Sequence, residues 1–174
     1  EKVSLENIDA LLSDVDYVVN GMDEMLNSLI LERNAREKGI TIIDAWLTPY
    51  ASVFVMTPES PHWEEFLDLP TRGIPLKDLT PELCNKAVDI EVEYTFSHFA
   101  PYEIISRQLV KDIVFKRRPR PSLAPVVWLS GVLMANEVFK LATGRPHTDY
   151  RGVFFDQYEM SLCSGNTVRE KKAA

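Results

Sequence analysis

The stretch Asn20-Gly21-Met22-Asp23-Glu24 places two acids between an apolar run, Tyr17-Val18-Val19, and a helical pattern. Open α/β sheets bind ligands in the crevice outside the carboxyl ends of their strands, so an acid on that turn is a candidate for chemistry. A carboxylate at Asp23 is placed to face a ligand in that crevice. Aspartate is also a preferred helix N-cap, and Asp23 sits where a helix should begin; the two roles are compatible. Cys84, in Thr80-Pro81-Glu82-Leu83-Cys84, is the second candidate. It falls in the first turn of an expected helix, where the helix N-terminus lowers a thiol's pKa. Glu82 opposes thiolate formation, and a free cysteine commonly serves as a small buried hydrophobe. Cys163 reads as structural. His62 and Glu65 are metal-capable types, but two ligands without partners make a poor zinc site. His98 and His147 are isolated and receive no role. Lys116-Arg117-Arg118-Pro119-Arg120 is the strong basic run, read as a solvated loop or as a contact for an acidic partner or nucleic acid, the chain's acidity making nucleic acid the weaker of those two.

The totals narrow these options. With 174 residues, 45% of them hydrophobic and 26% charged, the chain can bury one core of ordinary globular composition. A net charge of -7 argues against nucleic acid or an anionic membrane surface as the general partner. Two cysteines cannot build a disulfide framework or a four-cysteine zinc site. The polar start, Glu1 to Asn7, is unlike a signal peptide, and the apolar stretch Leu123 to Met134 is too short to span a bilayer. The expected setting is cytoplasmic.

The elements that must position these residues follow from periodicity. Leu5, Ile8, Leu11 and Leu12 predict a short helix before a strand at Tyr17 to Asn20. That strand lacks alternation, which suits a parallel strand covered on both faces. From Asp23 a helix presents Met25, Leu26, Leu29, Ile30 and Arg33 on one side, and Gly39 ends it in the left-handed conformation. Ile40-Thr41-Ile42-Ile43 is the next strand, reached by a right-handed crossover. Pro49 closes the segment after it, and Ala51 to Met56 is a further strand. Residues 58–121 hold eight of the eleven prolines and read as a helical, proline-rich insertion within a single domain spanning 1–174. In it, Ser60-Pro61 and Thr80-Pro81 look like caps with proline at the first helical position, and Pro101 to Val114 is a helix. Ala124 to Thr143 is apolar nearly all round and predicts a central buried helix, with Gly131 marking close backbone approach. Gly152 to Cys163 reads as a strand or hairpin, and the charged tail from Asn166 as frayed.

Together these pieces resemble the ThiF/MoeB/HesA superfamily, which includes the ubiquitin-activating enzymes. Its Asp-x-x-Asp-Asn turn lies on Asn20-Gly21-Met22-Asp23-Glu24. Asp23 matches the second, Mg-ATP-associated aspartate, Asn20 replaces the first, and Glu24 replaces the asparagine. Val53-Phe54-Val55-Met56-Thr57-Pro58 is similar to the strand before the family's crossover segment. Ala124 to Gly144 is similar to its late helix, and Gly152 to Leu162 to its closing strands. The resemblance covers Leu11 to Pro58 and Ala124 to Leu162.

The resemblance implies an α/β protein: part of a Rossmann-like, mostly parallel sheet with antiparallel additions. It implies ATP-dependent adenylylation of the C-terminal carboxylate of a ubiquitin-like protein or peptide, with ATP and magnesium as cofactors and a homodimer as the assembly. Asp23 would lie beside the triphosphate, and Cys84 is in the general region where some members form a thioester. The family's two Cys-x-x-Cys pairs have no counterpart, so no zinc is expected. No G-x-G-x-x-G occurs in the chain, which leads us to expect the C-terminal part of a longer adenylyltransferase, inactive alone. Two alternatives stay open: a non-catalytic docking or dimerisation module, and a fragment of an NAD-dependent dehydrogenase, since Rossmann-type sheets serve many chemistries.

Overall fold

The structure is a computed structural model, and it describes residues 2–46, 50–97, 105–119 and 121–164. Five strands form one sheet in the order β1 (Tyr17–Val19), β2 (Thr41–Asp44), β3 (Ala51–Met56), β4 (Val153–Asp156) and β5 (Ser161–Ser164). Six helices accompany them: α1 (Ile8–Leu11), α2 (Met25–Glu37), α3 (Trp63–Phe66), α4 (Pro81–Phe96), α5 (Arg107–Val114) and α6 (Ala124–Ala142). The class is α/β, and the sheet is mixed. β1 and β2 pair in parallel, Val18 opposite Ile42, while β2–β3, β3–β4 and β4–β5 are antiparallel. Connection length decides this. α2 gives the long crossover that a parallel pair needs, whereas the short links from β2 to β3 and β4 to β5 can only turn the chain back. Among the described strands the antiparallel additions therefore outnumber the parallel pairing that the sequence leads one to expect.

Strand alternation sorts the core into two faces. Ile42, Phe54, Met56 and Phe154 point to one side, where α1, α2 and the residue 58–121 region cover them with Ile8, Ile30, Leu31, Trp63 and Ala87. Ile43, Val53 and Val55 point to the other, against Leu133, Met134, Val138 and Leu141 of α6. All six residues of β3 are buried, as a strand covered on both faces requires. β1 is less covered: Val19 is 52% exposed.

Several local expectations hold and several do not. Gly39 ends α2 with φ +71°. Thr80 caps α4, its Oγ1 accepting the Leu83 N–H at 3.3 Å, with Pro81 at the first position. α3 starts later than Ser60-Pro61 suggests, because His62 is its cap: Nδ1 accepts the Glu64 N–H at 3.2 Å. α5 begins after Ser106, whose Oγ accepts the Leu109 N–H at 3.2 Å; Pro101 to Ile104 lie outside the described residues, as do His98, Pro49 and the tail from 165.

The largest correction concerns α6. It is long and apolar enough to cross a membrane by length and composition, and the sequence reads as buried all round. Among the described residues, one face is covered. That face packs on β3 and β2, with the Ser52 N–H donating to Ser130 Oγ at 3.1 Å. Trp128, Val132 and Phe139 stand 77%, 57% and 56% exposed. Gly131 lies among them, and a Cβ there would meet nothing within 4 Å, so no backbone approaches it among the described residues.

Candidate functional site

The carboxyl ends of the two parallel strands bring Asn20 and Asp44 together. β1 runs one residue further in hydrogen bonding, the Asn20 N–H donating to the Ile43 carbonyl at 2.8 Å. Asn20 is then 2% exposed, and its Nδ2 donates to Asp44 Oδ2 at 2.9 Å and to Ser28 Oγ at 3.4 Å. Its Oδ1 accepts the Met22 N–H at 3.0 Å, which folds the chain into a turn. Such side-chain bonds to a backbone N–H two residues on are what asparagine contributes to turns. Asp44 Oδ1 accepts the Ala45 N–H at 2.6 Å.

Asp23 leaves this turn exposed, one residue before the N-cap of α2. The cap is Glu24, with no side-chain cap bond, so Asp23 does not hold the cap position that the sequence allowed it. Glu24 instead meets two cations. Lys2 Nζ lies 2.6 Å from Oε2, and Lys116 Nζ, from the basic run, 3.3 Å from Oε1. The hydrogen bonds from both lysines, and then their charges, lower the Glu24 carboxyl from its ordinary value. Arg117 and Arg118 turn back to Asp112, at 2.9 and 3.9 Å. The turn thus offers the exposed Asp23, next to a Glu24 whose carboxylate is already paired with two lysines. Magnesium usually keeps several waters and takes one or two carboxylates plus substrate phosphates, so an exposed carboxylate such as Asp23 is a donor of the type it would use.

Behind the turn lies a group of carboxylates on four elements. Burial pushes Asp44 up to about 6, against the hydrogen bonds from Ala45 and Asn20. Glu32 of α2, 5% exposed, is raised well above the usual range by burial and then by the charges of Asp44, Glu91 and Glu64. Glu91 of α4 is pushed up to about 8 by desolvation, although Trp63 Nε1 donates to its Oε1 at 3.0 Å. Glu64 of α3 goes the other way: burial raises it, but Arg33 overrides that and holds it low. Arg33 Nε and Nη2 reach its two oxygens at 2.8 and 2.7 Å. Nη1 and Nη2 of Arg33 also donate to the Ile74 and Thr71 carbonyls, so this side chain clamps residues 64–74 onto α2.

Cys84 lies on α4, away from the Asp23 turn in sequence and element. Burial raises its thiol, and the Glu64 charge adds to that, so the helix N-terminus does not make it a thiolate at neutral pH. His62 is committed to capping α3, and burial lowers its pKa. Among the described residues no three His, Cys, Asp or Glu side chains are placed to share a metal ion. A cleft of about 380 Å³ opens elsewhere, lined by Arg33, His62, Glu64 and Arg72, and none of the turn's residues line it.

The sequence points to Asp23 and its turn. It does not reveal Asp44, which follows the apolar run Ile40-Thr41-Ile42-Ile43 and resembles a loop residue, nor the contact of Lys116 with Glu24, which spans 92 positions. No curated protein matches the chain. A protein-family model, described as the ThiF family, matches residues 1–174. The match runs the whole length of the chain, and with the acid turn at the ends of the parallel strands it leads to one statement: the chain belongs to the ThiF family.

Proposed function

We propose that this chain supplies the distal half of an ATP-dependent adenylylation site for the C-terminal carboxylate of a ubiquitin-like protein or peptide. The observation that carries the reading is the exposed Asp23 on the turn out of a parallel strand, in a chain matched throughout by the ThiF family. Asp23 would hold magnesium, which when bound neutralises phosphate charge as the carboxylate attacks the α-phosphate. Lys116 and Lys2, both paired with Glu24, offset the charge of the second acid at the same turn. Such catalysis is mainly positioning and charge stabilisation. The reading gives Cys84 no step, because its thiol is held protonated. Membership of the family leaves the NAD-dependent alternative without support.

The test is Asp23→Asn in the full-length protein. Carboxylate-dependent ATP–pyrophosphate exchange should fall by roughly a hundredfold or more, the scale expected when a charge-stabilising group is lost. Thermal stability should hardly change, because Asp23 is exposed and outside the cap. Near wild-type exchange by this variant ends the assignment. A second reading, docking or dimerisation without catalysis, draws on the exposed apolar face of α6. It predicts no pyrophosphate exchange by the wild-type protein with any carboxylate partner.

A further inference from the structure

We infer that Asp44 is a positioning residue: through Asn20 it fixes the turn that carries Asp23. Its bearing on catalysis rests on the proposed function; its bearing on the turn does not. Asp44 occupies the end of β2 and is 5% exposed, a place where an apolar residue would cost nothing in desolvation. Its two oxygens are both committed as acceptors, Oδ1 to the Ala45 N–H and Oδ2 to Asn20 Nδ2. A carboxylate cannot donate, so it can face only the amide nitrogen of Asn20. That choice turns Asn20 Oδ1 the other way, onto the Met22 N–H. Met22 directly precedes Asp23. The carboxylate of β2 therefore dictates which way round the Asn20 amide sits, and the amide dictates the backbone that presents Asp23. Ser28 Oγ, at 3.4 Å from Nδ2, ties the same amide to α2. Behind Asp44, Glu32 of α2 and Glu91 of α4 face it across the buried group.

The direction of each hydrogen bond makes the inference testable by exchange of the two side chains. Asp44→Asn must turn an amide NH₂ toward either the Ala45 N–H or Asn20 Nδ2, setting donor against donor. Asn20→Asp sets acceptor against acceptor beside Asp44. The double variant N20D/D44N satisfies every partner again: the carboxylate at 20 accepts from Met22 and from the amide at 44, whose oxygen accepts from Ala45.

The experiment uses the full-length protein, its two single variants and the double variant. Hydrogen exchange of the Met22 amide should speed up by about tenfold in each single variant, and return close to wild type in the double, as coupling between contacting residues requires. Where a single variant fails to fold, folding of the double variant with wild-type Met22 protection supports the coupling, and its failure overturns it. Met22 protection equal in all four proteins, or losses that add in the double variant, also overturns it. The catalytic arm is KM for Mg-ATP in pyrophosphate exchange, expected to rise about tenfold in each single variant with kcat less affected, and to recover in the double. Recovery of Tm in the double without recovery of KM reduces Asp44 to a structural residue and overturns the positioning role. Absence of pyrophosphate exchange in the wild type fails the adenylylation reading, and Met22 exchange still decides the turn on its own.

Discussion

Gly152 sits before β4 with φ +79°, and a Cβ there would lie 2.3 Å from the Phe54 ring. Phe54 is 1% exposed and pinned by Trp46, Trp63 and Phe154, so it cannot withdraw. Gly152→Ala should therefore cost about 3 kcal/mol from overpacking and backbone strain together, read as a lower midpoint in urea with an unchanged slope. A loss under about 1 kcal/mol in the same urea measurement would mean that the ring moves aside. Nothing in the sequence separates Gly152 from Gly131, since both stand beside apolar residues. Only the fold shows one pressed on a ring and the other facing open space. The same limit hides Asp44. Asp23 is legible because a turn acid after an apolar run has a recognisable place in α/β sheets. Asp44 acquires its meaning from Asn20, twenty-four residues away in sequence and 2.9 Å away in space.

Between the elements, the packing of α2, β2, α3 and α4 is built around acids, and that gives it a pH dependence of definite sign. Asp44 rises from 3.8 to about 6 and Glu91 from 4.5 to about 8, while Glu32 also rises. A carboxyl raised in the folded state keeps its proton there while the unfolded chain has lost it, so stability falls as pH climbs from the unfolded to the folded pKa. Glu64, Glu137 and Asp149 are lowered; their contribution is present above the ordinary carboxylate range and is lost as pH drops through their folded values. The two sets together place maximum stability near about pH 4, and the raised set removes on the order of a few kcal/mol by pH 8. Thermal melts across that range should show Tm falling above pH 5. Glu91→Gln, which keeps an acceptor for Trp63, should flatten the decline between pH 6 and 8; a Tm that stays level or rises in the wild type refutes the account. The helices and strands themselves are largely legible, because α2, β3 and α4 carry clear periodicity, caps and glycine stops. The interface is not legible, since Glu32 and Glu91 look like solvent-facing helix positions until α2 and α4 are laid together.

Over the whole molecule the two faces of the sheet are finished unequally. The side under α1, α2, α3 and α4 is closed over an aromatic group that includes Trp46, Trp63 and Tyr94. Among the described residues the other side is closed by α6, and α6 shows a second apolar face that none of them covers. Hydropathy could not tell these apart: a helix apolar all round reads as buried whether the molecule or a partner buries it. On the sheet itself Ile42 is 3% exposed, whereas Val19 of β1 is 52% exposed. Trp128, Val132 and Phe139 flank the small residues Gly131 and Ala135, the arrangement that lets two helices approach closely. An exposed apolar patch of this kind marks an association site. The chain should therefore self-associate, and light scattering at high micromolar concentration should report a dimer. Val132→Glu places a charge in the middle of the stripe at a position 57% exposed, where it has little to disturb in the fold. It should shift the molecule to monomer and leave Tm of the monomer unchanged within a few degrees. A wild-type chain that scatters as a monomer at that concentration, or a Val132→Glu variant that remains dimeric, rules out α6 as the surface of association.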